Sequence, residues 1–281
     1  MAEVTFADKF IGFVDLLGFK SLVRSSEEGR GYPLNEILTA LGDLGSAETR
    51  RRYLLRGPGI CPRSKFNAKD LDFQITQVSD CVVVSTEISP AGAINLVSHC
   101  WQACLGLLTR GIMCRGYITR GSIYHTEDQV VGSGFSEATE REKQVSAFKQ
   151  KADESGTPFI EVDHAVECYI EDEGDKCVKE MYGRMTRKDG ELTVLFPFKR
   201  LNHSFIVAGL GKFDAEENLQ SVRNVKQWIR GFKDKVASLI DQTNPNAINK
   251  GNHYIRILDA QLEECDKTER LIVMLAGKPS S

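Results

Sequence analysis

Hydrophobic positions along this chain follow two periods. Short runs dense in β-branched and aromatic residues, at residues 9–15, 72–78, 81–86, 113–118, 122–125, 159–162 and 192–198, read as strands. Stretches with helical spacing lie between them. One helix starts near Phe19, just after Gly18, and a second covers roughly residues 34–55, followed by a polar connection over 57–70. Ser89-Pro90 opens an amphipathic helix, because proline suits the first helical position after a serine cap. Its apolar positions are Ile94, Val97, Trp101, Cys104, Leu105 and Leu108, and Gly111 ends it. Gly132 and Gly134 precede a polar helix over about 136–150. Residues 218–242 place Val222, Val225, Ile229, Phe232 and Val236 on one face. After the break at Thr243-Asn244-Pro245, a short final helix is expected over 252–265.

The order of these elements is β-α-β-β-α-β followed by further strands and helices, which predicts an α+β fold with a ferredoxin-like core. In that topology the first strand is central and antiparallel to the third and fourth. The end of strand one then lies beside the start of strand three, so Asp15 and Asp80 converge although they are far apart in sequence. Strand four begins at the same edge, which brings Arg115 within reach. Residues 1–210 are expected to form the main domain, with 211–281 a helical extension packed on it.

Composition narrows the function classes. The 281 residues are 41% hydrophobic and 27% charged, ordinary for a globular chain. A net charge of −3 leaves no electrostatic footprint for nucleic acid. No apolar stretch approaches the roughly 20 residues of a membrane helix, and no basic-then-apolar leader opens the chain, so no membrane partner is expected. The eight cysteines, including Cys81, Cys100, Cys104 and Cys114 in apolar runs, read as reduced core residues, and no CxxC pair suggests zinc. Cytoplasm is the expected compartment.

Candidate chemistry centres on two carboxylates set into apolar strands. Burying a charge without a partner costs several kcal/mol, roughly, so such groups pair or hold a cation. Taken alone, Asp15 also suits a helix N-cap and Asp80 a hairpin turn; at a shared edge, a hard-metal site is the better reading. Gly18 lets the bend Leu16-Leu17-Gly18-Phe19 bring backbone N–H groups close to an anion. Tyr53, amid Arg50, Arg51, Arg52 and Arg56, suits either stacking on a base or packing on its neighbours. His99, on the apolar helix, reads as a core residue.

Phe13-Val14-Asp15-Leu16-Leu17-Gly18-Phe19 resembles the opening strand of class III nucleotidyl cyclases, and Asp80 resembles their second metal ligand. Arg115-Gly116-Tyr117-Ile118-Thr119-Arg120-Gly121 matches the spacing of their next strand, and Gly132 to Glu142 resembles the helix of bacterial pyrimidine cyclases of the Pycsar anti-phage systems. The likeness covers about residues 9–165. It implies a homodimeric enzyme with its site at the subunit interface, making 3′,5′-cyclic UMP from UTP, or cyclic CMP from CTP, for a separate receptor protein. It implies two Mn²⁺ or Mg²⁺ ions held by Asp15, Asp80 and the backbone of Leu16. Asp15, Asp80 and Arg115 are then catalytic, and Leu17, Gly18, Phe19, Tyr53 and Arg115 bind nucleotide. The purine enzymes carry an asparagine, an arginine and a lysine where Ser136, Glu140 and Thr76 stand nearest here. Those departures favour a smaller base over a purine and leave Arg115 or Lys143 as stand-in charge stabilisers. A purine cyclase and a non-catalytic nucleotide-binding module are the alternatives.

Overall fold

Strand β1 (Ala7–Leu16) is the axis of the structure, a computed structural model that describes residues 4–56, 59–66, 71–198 and 214–277. After β1 come helices α1 (Phe19–Glu27), α2 (Leu34–Leu44) and α3 (Ala47–Arg56), then the hairpin β2 (Gln74–Val78) and β3 (Cys81–Glu87). Helix α4 (Pro90–Thr109) leads to β4 (Cys114–His125), the short β5 (Val130–Val131) and α5 (Ser133–Gln144). Next are β6 (Ile160–Val162), α6 (His164–Glu173), α7 (Lys176–Met185), β7 (Thr186–Asp189) and β8 (Leu192–Leu195). Two long helices, α8 (Ala215–Leu239) and α9 (Pro245–Ala276), follow.

The strands form one mixed sheet in the order β2-β3-β1-β4-β6-β8-β7, with β5 attached to β4, so the fold is α+β. β1 is antiparallel to β3 and β4, and β4 is parallel to β6. The first four strands therefore take the positions that β-α-β-β-α-β connectivity requires. Alternation along β1 explains its burial on both faces. Phe10, Val14 and Leu16 pack with Ile94, Val97 and Cys100 of α4, while Ile11 and Phe13 pack with Val83, Ile123 and Ala138 of α5. Fully burying one such side chain contributes about 1.5–3 kcal/mol.

Several boundaries differ from those the sequence suggests. The expected helix over 34–55 breaks at Gly45, whose φ of 136° interrupts helical geometry, and Ser46 Oγ accepts the Thr49 N–H to start α3. The expected strands 113–118 and 122–125 are one strand, because Gly121 is a point of close approach rather than a turn. A Cβ there would stand 2.8 Å from Gly134 Cα. Gly121→Ala is expected to cost about 1–3 kcal/mol in urea denaturation by pushing α5 off the sheet; a loss below a few tenths would contradict that packing.

Asn244 caps α9 by accepting the Asn246 and Ala247 N–H groups, with Pro245 at the first turn, so this segment starts a long helix rather than only ending α8. The expected short helix over 252–265 lies inside it. Helices α6 and α7 and strand β7 were not anticipated. Helix α4 is 20 residues long and apolar enough to span a membrane by length and composition, contrary to the expectation that no stretch qualifies, but 72% of its apolar window is buried in the core. Helices α8 and α9 share a hydrophobic cluster with the sheet, where Phe159 and Phe198 pack on Tyr254. The expected boundary at residue 210 falls outside the described residues, as does part of the connection 57–70.

Candidate functional site

The register brings the two aspartates together. Asp15 lies opposite Cys81 on β3 and opposite Arg115 on β4, and the Leu16 N–H donates to the Asp80 carbonyl at 3.0 Å. Val78 and Cys81 pair across a two-residue turn made of Ser79 and Asp80, with Ser79 at φ 54°. Strand alternation then puts Asp15, Cys81 and Arg115 on the α5 face of the sheet.

A third carboxylate, which the sequence reading did not single out, joins them. Glu142 is 3% exposed at the C-terminal end of α5 and is bonded to the Arg115 guanidinium. It arrives there because Gly134, Ala138 and Glu142 form the buried stripe of α5. The chain leaving the helix is fixed by Glu161, which accepts the Ser146 and Ala147 N–H groups, each at 2.7 Å.

Electrostatics mark this corner. Burial, then the negative charges of Glu142 and Asp80, push the Asp15 carboxyl up to about 6, against the opposing pull of Arg115. Burial and then Asp15, Asp80 and Glu142 push the Cys81 thiol up to about 11. An excess of negative potential around two accessible carboxylates fits a divalent cation, which would relieve it. Among the described residues, however, no group of three or more His, Cys, Asp or Glu side chains is arranged as a metal cluster.

The other expected residues fall into two sets. Leu17 and Gly18 line a cavity of about 360 Å³ beside this corner. Gly18 sits at φ 77° as the residue before α1, whose start carries no side-chain cap, so Asp15 is not the helix cap. Phe19 is the first residue of that helix. Arg115, in contrast, is committed within the protein: besides Glu142, its Nη1 donates to the Gly156 carbonyl at 3.3 Å. Tyr53 stacks on Phe73 with ring centroids 4.2 Å apart, on the helix side of the sheet near the entry to β2. It is therefore packed with the core, not gathered with Asp15 in this chain.

Thr76 is engaged with His125 Nε2 at 3.0 Å and the Thr126 carbonyl at 3.1 Å. Ser136, Glu140 and Lys143 lie off the buried stripe of α5, and Lys143 is exposed. His99 is a half-buried residue of α4, hydrogen-bonded to the Leu44 carbonyl at 2.8 Å and edge-on to the Phe73 ring. Lys250 of α9 was also missed, and it feels the charges of Arg115, Glu142 and Asp15. No protein-family model matches the chain, and no curated protein matches it.

Proposed function

We propose that the chain is a nucleotidyl cyclase acting on a pyrimidine nucleoside triphosphate, UTP ahead of CTP, as a second-messenger synthase for a separate receptor in anti-phage defence. One observation carries the reading: Asp15 and Asp80 meet at one sheet edge, where burial first, and then the charges of Glu142 and Asp80, hold the Asp15 carboxyl up at about 6. Those added negative charges are what a hard cation would answer. Asp15 and Asp80, with the backbone at Leu16, would hold Mn²⁺ or Mg²⁺.

Bound divalent ions would supply Lewis acidity toward the ribose 3′-hydroxyl and the phosphates. The chain's own part is positional. The Gly18 turn and the uncapped start of α1 offer N–H donors to the β- and γ-phosphates. The 3′-hydroxyl would give its proton to solvent water as its oxygen bonds to the α-phosphorus and the bond from that phosphorus to pyrophosphate breaks. Thr76 is engaged, and Ser136 and Glu140 lie off the buried stripe of α5, so these positions supply no purine-reading set among the described residues, in keeping with a small base. Tyr53 stands apart from this corner, in keeping with a homodimer whose second subunit completes the base pocket.

Incubation of the purified chain with each of four nucleoside triphosphates and Mn²⁺, followed by mass spectrometry, is expected to yield one cyclic pyrimidine product and pyrophosphate. No cyclic product from any of the four by the folded protein would remove the proposal. A second reading, a nucleotide-binding module without turnover, is favoured by one fact: the Arg115 guanidinium is already paired with Glu142. Tight binding without pyrophosphate release in the same experiment distinguishes it.

A further inference from the structure

The cavity next to Asp15 is not made by the sheet alone. Leu17, Gly18 and Met113 form one wall, and Ile240, Asn246 and Lys250, from the two C-terminal helices, form the other. Its volume of about 360 Å³ falls within the range of small-molecule sites, roughly 300–1,000 Å³.

The C-terminal wall is set in place by close packing. A Cβ on Gly251 would stand 2.0 Å from Ile240 Cδ1, so the Ile240 side chain at the end of α8 packs directly on the α9 backbone there. Lys235 Nζ donates to the Thr109 carbonyl at 2.7 Å and ties α8 to the segment leading into β4. These contacts fix the first turns of α9, and with them Lys250.

Lys250 is half-buried, yet among the described residues no hydrogen bond or ion pair holds its ammonium. Burial and then the Arg115 charge push its pKa down, while the Glu142 and Asp15 carboxylates act in the opposite sense. A partly desolvated ammonium with no partner is a cost to the fold unless something anionic answers it. Lysine serves phosphate as a compact point charge with three donors. It lines the cavity that Gly18 also lines and feels the charge of Asp15, so a phosphate chain bound there would come within its reach.

We infer that Lys250 contacts the phosphate chain of a ligand in this cavity, which makes the C-terminal helices part of the binding site. In the cyclase reading, on which the assignment to the pyrophosphate-leaving end rests, Lys250 offsets the charge that builds on the departing pyrophosphate. The phosphate contact itself stands on the cavity and the unanswered cation.

The test is calorimetric titration of inorganic triphosphate, with Mn²⁺ present, into the wild-type chain, Lys250→Gln and Lys250→Arg. The expected result is at least tenfold weaker binding by Lys250→Gln, with most of the loss recovered by Lys250→Arg. The melting temperature of Lys250→Gln without ligand should match or exceed that of the wild type, because no native contact is removed. Equal affinity in all three proteins, or no binding by the folded wild type, overturns the inference. Turnover separates the two proposals. A wild type that cyclises a nucleotide while Lys250→Gln keeps its KM and triphosphate affinity sinks Lys250 alone. Lysine-dependent triphosphate binding without any cyclic product sustains the phosphate contact and sinks the cyclase.

Discussion

Asp15→Asn is expected to lower turnover by roughly 10³-fold, the scale of losing a main electrostatic stabiliser of a transition state, while the protein stays folded. Stability should move the other way. The folded chain holds the Asp15 carboxyl up to about 6 against an ordinary value of 3.8, chiefly through burial. Between those two values the folded state keeps a proton that the unfolded chain has released, so folding takes up a proton. The contribution of Asp15 to stability is therefore greatest at low pH and falls as pH rises from about 4 to about 6.

Asparagine has no such fall. At pH 7.5 the variant should be as stable as the wild type or more so, by on the order of 1 kcal/mol once screening of a partly exposed group is allowed for. Urea denaturation at about pH 4.5 and 7.5 gives the difference directly. Mn²⁺ should raise the melting temperature of the wild type at neutral pH and leave Asp15→Asn nearly unmoved, since a ligand stabilises only the state that binds it. Wild-type turnover by the variant, or an equal metal response in both, defeats the assignment of Asp15.

The convergence of Asp15 and Asp80 was legible in the sequence because few quantities determine it. Two strands of known period, joined through a two-residue turn and a central β1, leave little freedom in register. The Asp15–Cys81 and Asp15–Arg115 pairings follow from that. Glu142 was not legible as a buried group, because Glu137, Glu140, Arg141 and Lys143 around it read as a solvated helix. The signal that points to it is the four-residue spacing of Gly134, Ala138 and Glu142, two small residues that let the helix approach the sheet and a carboxylate in the same line.

The continuity of β4 was not legible. Two strands were expected over 113–118 and 122–125, with Gly121 between them, and the glycine there answers the nearness of α5. Asn244-Pro245 reads as a break because proline ends helices; it equally begins them, and here the Asn244 side chain, accepting the Asn246 and Ala247 N–H groups, starts α9. Lys250 then follows from tertiary placement alone, since a lysine on a polar helix carries no local mark of a cavity.

Arg115→Met and Glu142→Gln are each expected to destabilise the protein by about 3–5 kcal/mol, because each leaves its former partner as an uncompensated charge with 3% or 14% side-chain exposure. The double variant Arg115→Met with Glu142→Gln should cost less than the sum by about 2–3 kcal/mol, a coupling that two independent surface charges would not show. Denaturant titrations of the four proteins measure it, and strict additivity would mean the pair is not what holds β4 to α5.

The same two substitutions should also pull Asp15 in opposite directions. Removing the Glu142 carboxylate takes away negative charge and lets the Asp15 pKa fall; removing the Arg115 guanidinium takes away the opposing positive charge and lets it climb further. Since a metal competes with the proton on Asp15, the pH at which Mn²⁺ binding is half complete should drop in Glu142→Gln and rise in Arg115→Met. A direct nucleotide contact by Arg115 predicts no such opposed pair of shifts in the absence of nucleotide. The arginine that resembles a substrate ligand in sequence acts, on this account, by setting the charge of the aspartate beside it.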